Sequence, residues 1–182
     1  MRSASILCAL TLILATVVPD QATAASKEKI DKRVVDALET FHEKIDGSEK
    51  FLGDAAGYLV FPRVVKAGIG IGGESGEGVL MINGKTVDYY RTSGGSIGLQ
   101  LGAQAKSIII VFLTPGALEK FQNSSGWKVG LDASVALVDV GAGKTIDTDN
   151  IKDPVVGFVV DSKGLMGNFT FEGSKITKID KS

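Results

Sequence analysis

Gly57-Tyr-Leu-Val-Phe-Pro-Arg-Val-Val-Lys-Ala-Gly-Ile-Gly-Ile-Gly-Gly-Glu-Ser-Gly-Glu-Gly-Val-Leu80 is the stretch whose reading decides the fold. Its apolar runs, Tyr58 to Phe61, Val64 to Ile71 and Gly78 to Ile82, have the length of strands rather than helices. Gly68, Gly70 and Gly72 recur at the two-residue spacing of one strand face, as do Gly76 and Gly78, and as Gly98 and Gly102 lie on one face further on. Glycines inside strands mark tight curvature, bulges or close backbone approach. They predict a sharply bent sheet, or a floor on which a helix or an acyl chain can lie closely. Gly68-x-Gly70-x-x-Gly73 also spells the dinucleotide fingerprint. That fingerprint needs a strand that opens into a helix, and here the pattern continues as strand and hairpin.

Working outward, the same texture continues. Runs at Thr86 to Thr92, Ser96 to Gly102, Ser107 to Leu113 and Lys128 to Val140 read as strands. So do Val155 to Val160, Met166 to Phe171 and Lys175 to Ile179. Asn83-Gly84, between two such runs, is a strong hairpin signal. Thr114 caps, and Pro115 opens, one short helix near 115–122 that carries Leu118 and Phe121. The expected fold class is mainly β (α+β): an antiparallel, strongly curved sheet, sandwich- or barrel-like, with N-terminal helices.

Upstream, Ser26 caps a helix predicted to run to about Asp46 and to end at Gly47. Ile30, Val34, Leu38, Phe41 and Ile45 form one helical stripe, which Val35 widens. One reading of this amphipathic helix is ordinary core packing. The other lays it on a bilayer with its basic end, Lys29, Lys32 and Arg33, against lipid headgroups. Ser48 is expected to cap a second short helix through about Ala56.

The first residues read as an export signal. Arg2 precedes an uncharged apolar run from Ile6 to Val18, and Ala22-Thr23-Ala24 supplies a small-x-small cleavage pattern. That run rises only about 20 Å as a helix, short of a ~30 Å hydrocarbon core. A signal peptide at 1–24, cut after Ala24, and a single domain at 25–182 are therefore expected, with a periplasmic or extracellular destination. Cys8 is the only cysteine and begins the apolar run instead of ending it, so no lipid anchor and no disulfide are expected. The formal net charge of −1 lacks the basic excess of a nucleic-acid binder, so an anionic partner has to be met by a local patch.

Little in the chain asks for catalysis. His42 is the only histidine and falls on the polar side of the first helix, where a solvated side chain is the ordinary reading. There is no His-Cys cluster for zinc, and a Ser-His-Asp triad would have to recruit this one histidine, so no catalytic residue, metal or cofactor is expected. Asp147-x-Asp149-x-x-x-Asp153 suggests calcium, but Lys152 and Phe158 stand where an EF-hand wants glycine and glutamate. Asn123-Ser124-Ser125 and Asn168-Phe169-Thr170 are glycosylation sequons. Arg63, Lys66 and Lys106 are the basic residues nearest the glycine-rich strand, with Lys106 expected in a turn. They serve solubility, or they meet phosphates at one end of the sheet, at about 1 kcal/mol per residue near an anionic membrane.

Several blocks resemble the SYLF domain family: the opening stretch, Ser96-Ile-Gly-Leu-Gln-Leu-Gly-Ala-Gln-Ala-Lys-Ser107, Ala117-Leu-Glu-Lys-Phe121, Gly126-Trp-Lys-Val-Gly-Leu-Asp-Ala-Ser-Val135 and Lys163-Gly-Leu-Met166. The resemblance runs in order from about residue 27 to 180. It implies a non-enzymatic lipid-binding module. Eukaryotic relatives join the domain to SH3 or FYVE domains and bind phosphoinositides and, in some cases, actin, whereas bacterial relatives are commonly exported single domains. Carried over here, it points to Lys29, Lys32, Arg33, Arg63 and Lys66 for lipid contact, and Lys106 joins them as the neighbouring basic residue. The expected partner is an anionic phospholipid or membrane surface, met through helix insertion and a small basic patch. The alternatives are a periplasmic carrier of a small apolar ligand in a β-enclosed cavity, and a cell-envelope protein-interaction module.

Overall fold

The computed structural model describes residues 25–98, 104–132, 135–137, 151–161, 164–165 and 173–181. The expected signal peptide at 1–24, the strand expected at Met166 to Phe171, Asp147, Asp149, Lys163 and the Asn168 sequon lie outside the described residues.

The chain opens with α1 (Lys27–Lys44) and α2 (Ser48–Asp54), followed by the strands β1 (Gly57–Ile82), β2 (Lys85–Gly98) and β3 (Gln104–Phe112). Helix α3 (Pro115–Gln122) precedes β4 (Trp127–Lys128), β5 (Ala136–Leu137), β6 (Val155–Asp161), β7 (Gly164–Leu165) and β8 (Lys175–Ile179). The strands form one strongly curled sheet, a half-barrel, in the order β4-β8-β2-β1-β3-β6-β5, with β7 on β6. All pairs are antiparallel except β5 with β6, which is parallel. The mainly β, antiparallel, strongly curved architecture read from the sequence is the one observed.

The opening stretch is a single strand, not three. Its first half pairs with β3 and its second half with β2. Between Phe61 and Val64, β1 advances three residues while β3 advances two, a bulge that takes up Pro62 and Arg63. Proline belongs there because it has no N–H to give a ladder. The Ser107 hydroxyl donates to the Pro62 carbonyl oxygen at 2.9 Å. At the other end Asn83 (φ 51°) and Gly84 (φ 71°) both take positive φ, the two-residue hairpin turn that the Asn-Gly pair predicts.

The glycines let β1 double back on itself. A Cβ on Gly78 would stand 2.1 Å from the Val60 carbonyl oxygen, and one on Gly76 would stand 2.7 Å from that of Arg63. One on Gly57 would press Leu118 and the Met81 carbonyl, each at 3.1 Å. Residues 57, 60–61 and 63–64 thus face 81–82, 78 and 76 in reverse order, and the strand returns between Val65 and Ser75. The close approach predicted from these glycines is real. What lies on this part of the floor is the strand's own first half, not a helix or an acyl chain.

Curling gives the sheet two buried faces. Inside lie Leu59, Phe61, Leu80, Ile108, Ile110 and Phe112, closed by Leu118 and Phe121 of α3 and by Trp127. Phe121 meets the Phe112, Tyr90 and Trp127 rings at centroid distances of 4.9, 5.0 and 5.4 Å, the last edge-on. Outside, Tyr58, Val60, Ile109, Val111, Phe158 and Val160 are covered by α1 and α2. Two-sided burial is why these strands read as unbroken apolar runs.

Helix α1 begins as predicted, with the Ser26 hydroxyl accepting from the Lys29 N–H. Of its predicted stripe, Ile30, Val34, Phe41 and Ile45 are buried against the sheet, each contributing about 1.5–3 kcal/mol, while Leu38 is only partly buried and Ala37 takes the buried place beside it. Phe158 receives the Phe41 ring edge-on at 5.0 Å. Val35 does not widen that stripe; it is exposed. Ser48 does not cap α2 either. Gly47 holds the cap position with φ 79°, and Ser48 is buried, bonding His42 Nδ1 at 2.9 Å. His42 is therefore half-buried and partnered rather than freely solvated. The run expected as a strand from Lys128 to Val140 breaks after Val129, where Gly130 takes φ 88° and Asp132 accepts from the Lys128 N–H at 2.6 Å.

Two outcomes are expected. Gly78→Ala forces a methyl group into the Val60 carbonyl and should cost about 3 kcal/mol in urea unfolding. Gly53→Ala, which meets nothing within 4 Å in α2, should be neutral or gain up to about 1 kcal/mol. The second concerns pH. Burial, and then the hydrogen bond to Asp31, push Tyr89 up to about 12; burial, and then Asp88, push Tyr90 up to about 12; and burial raises Tyr58. The folded phenols keep their protons above the unfolded value of about 10, so this stability is complete below pH 10 and lost between about pH 10 and 12. Ultraviolet titration should show little phenolate at pH 10 in the folded protein and about half in urea; equal titration in both would contradict it.

Candidate functional site

A groove of about 330 Å³ opens where α1 crosses the β1 bulge. Arg33, Asp36, Ala37 and Thr40 form its helix side, Pro62 and Arg63 its rim, and Ala105, Lys106, Ser107 and Val160 its floor. The bulge is what brings Arg63 here, because it takes residues 62 and 63 out of the ladder and leaves Arg63 exposed. A second groove, of about 570 Å³, shares Arg33, Pro62 and Arg63 and extends past Ser75 and Glu77 to Arg91. Two guanidiniums thus border both grooves, one from a helix and one from a strand. Planar guanidiniums at a concave, partly apolar edge suit bidentate capture of phosphate or carboxylate oxygens.

Of the basic residues singled out in the sequence, the fold brings Arg33, Arg63 and Lys106 to one groove. Lys66 sits half-buried opposite Gln104 on β3, near enough to Lys106 for the two charges to repel. Lys29 and Lys32 are exposed on α1 and line neither groove. Lys106 is not in a turn. It pairs with Val64 in the middle of β3 and is buried, its ammonium 3.1 Å from Glu74 Oε2. Ser174 donates to the other oxygen of that carboxylate at 2.9 Å. Burial lowers the Lys106 pKa, and the Glu74 charge and hydrogen bond work against that fall. A lysine so committed supports the groove floor instead of offering a free cation.

Sequence reasoning passed over a second polar centre. Glu77 on β1 accepts from Arg91 Nη2 at 2.6 Å, from Lys181 Nζ at 2.9 Å and from the Ala25 N–H at 3.2 Å. Lys181 Nζ also donates to the Ala25 carbonyl oxygen at 2.9 Å. These partners are far apart in the chain, and no local pattern announces them. Even Arg91 is not announced by the Asn83-Gly84 turn, whose register would set Tyr90 opposite Glu77; a one-residue shift between Leu80 and Met81 brings Arg91 there instead.

The buried pair makes its own prediction. Lys106→Met leaves Glu74 buried without its cation and should cost about 3–5 kcal/mol, and adding Glu74→Leu should restore most of that loss. Urea unfolding of the single and double variants checks this; equal losses in both would contradict it.

Residues 93–182, about half of the chain, match the family model described as Ysc84, Las17-binding protein actin regulator. No curated protein matches the chain. The matched span takes in β3 with Lys106 and ends beyond Lys181, whereas α1 and β1, with Arg33 and Arg63, precede it.

Proposed function

We propose that this chain, which belongs to the SYLF domain family, is an exported, non-enzymatic module that binds anionic phospholipid at a membrane surface. Family membership supports lipid- or actin-related binding at a general level. What carries the finer reading is the convergence of Arg33 and Arg63 on the groove rims, in a chain whose net charge is −1. Phosphate groups of a bilayer meet the two guanidiniums side by side, and Lys66 adds charge beside them. Asp36 on the same rim offsets part of that attraction and biases the site towards dense anionic surfaces.

The fold also constrains how the surface is met. The apolar stripe of α1 is spent on the core, so helix insertion would have to strip Ile30, Val34 and Phe41 from the sheet. Contact through the charged rim, with α1 left on the sheet, carries no such cost. Among the described residues the inside of the curl is occupied by Phe112, Phe121 and Trp127 in ring contact, which favours contact at the rim over an apolar ligand held inside.

Sedimentation with vesicles tests the reading. Binding should need anionic lipid and weaken with salt, and each of Arg33→Ala and Arg63→Ala should lose about fivefold in affinity. Lys178→Ala, remote from the grooves and paired with Asp88, serves as the control and should lose little. Equal binding to neutral vesicles, or indifference to the Arg33/Arg63 double variant, would rule the proposal out.

A further inference from the structure

The Glu77 centre holds the residue that the export signal would make the first of the chain. Ala25 is half-buried, its nitrogen 3.2 Å from Glu77 Oε2 and its carbonyl oxygen bonded by Lys181. Arg91 takes Oε1, which leaves Oε2 to Ala25 and Lys181. The side chains of Glu77 and Lys181 are only 14% and 10% exposed. Ala25, Lys181 and the second half of β1 therefore meet at one carboxylate. Burial alone would raise that carboxyl, but the hydrogen bonds and charges of Arg91 and Lys181 outweigh it and hold it below the usual range.

We propose that Glu77 is the seat of a new N-terminus, so that hydrolysis of the Ala24–Ala25 bond by a leader peptidase completes the fold as well as releasing the chain. This rests on the export reading above. In the cut, water adds across the peptide bond: Ala24 keeps a carboxylate, and the nitrogen of Ala25 leaves as an amine that takes up a proton below about pH 8. Before the cut that nitrogen offers Glu77 one neutral N–H. Afterwards it offers three N–H donors and a positive charge, and charge-assisted hydrogen bonds are roughly twice as strong as neutral ones.

Several charged groups face the new ammonium. Glu77 lies nearest. Glu28, Asp180, Lys27, Arg91 and Lys181 line the adjoining groove with Ala25. Lys27 is drawn aside over the Tyr89 ring, 5.8 Å from its centroid. Arg91 and Lys181 oppose the ammonium, as do Arg33 and Arg63, which line the second groove with Ala25 and Glu77; Glu77, Glu28 and Asp180 favour it, with direct contact deciding for Glu77. The α-amine is thus held charged to higher pH than an ordinary one. Its stabilising effect is full below about pH 8 and is lost as pH rises through the raised value.

The experiment uses the product exported from the full-length chain. Intact mass should show Ala25 as its first residue. Selective acetylation of the α-amine near pH 6.5 should then lower the melting temperature by about 2–4 °C. In Glu77→Gln the same acetylation should change it by under about 1 °C. A different first residue overturns the proposal at the export reading. Ala25 in first place, with acetylation harmless or equally costly in both proteins, overturns it at Glu77. If Glu77→Gln fails to fold, trace labelling of the wild-type α-amine against pH decides: a midpoint above about 8 supports the seat, and one at or below it overturns it.

Discussion

Everything in this fold depends on one strand lying against itself without side chains in between. Where Gly78 meets the Val60 carbonyl and Gly76 meets that of Arg63, the two halves of β1 approach more closely than any residue with a Cβ would allow. That contact sets the curl of the sheet. The curl in turn makes an inside, filled by Phe112, Phe121 and Trp127, and an outside for α1 and α2 to cover. A flatter β1 would leave the inner aromatic cluster in water and α3 with nothing to close.

The same curl brings distant charges together. Bending β1 carries Glu74 to Lys106 and Ser174, and places Glu77 between Arg91 and Lys181. Both carboxylates sit in the second half of β1, three residues apart and on opposite faces. One is sealed inside with a lysine, while the other is nearer the surface, where Ala25 and Lys181 converge on it. The strand that shapes the core thus also carries the two polar anchors that tie chain segments to it.

The proposed surface contact follows from where the strand is interrupted. The Pro62–Arg63 bulge lies under α1, so Arg63 stands beside Arg33 in a concave edge instead of taking a place in the ladder. Helix α1 contributes its polar side to that edge while its apolar side holds the sheet. A single helix cannot hold the core with its stripe and insert the same stripe in a bilayer. That conflict separates a charged-surface contact from an insertion mechanism.

By itself the sequence determined the strand-rich class, the Asn83-Gly84 hairpin, the Ser26 and Thr114 caps and most of the apolar stripe of α1, though not whether that stripe meets a core or a bilayer. Each depends on dihedral preference or on periodicity within a few residues, and such preferences survive into any fold. The strand glycines likewise announced a close approach, without saying what would approach. Only tertiary structure decided that the neighbour is β1 itself, that Lys106 is buried on Glu74 rather than free in a turn, and that Arg33 joins Arg63 while Lys29 and Lys32 do not. The stop at Gly130 and the role of Ser48 were also settled there, by a side-chain cap from Asp132 and by the nearness of His42. A contact between residues far apart in the chain depends on how the sheet bends in three dimensions, and no local pattern of residues encodes that distance.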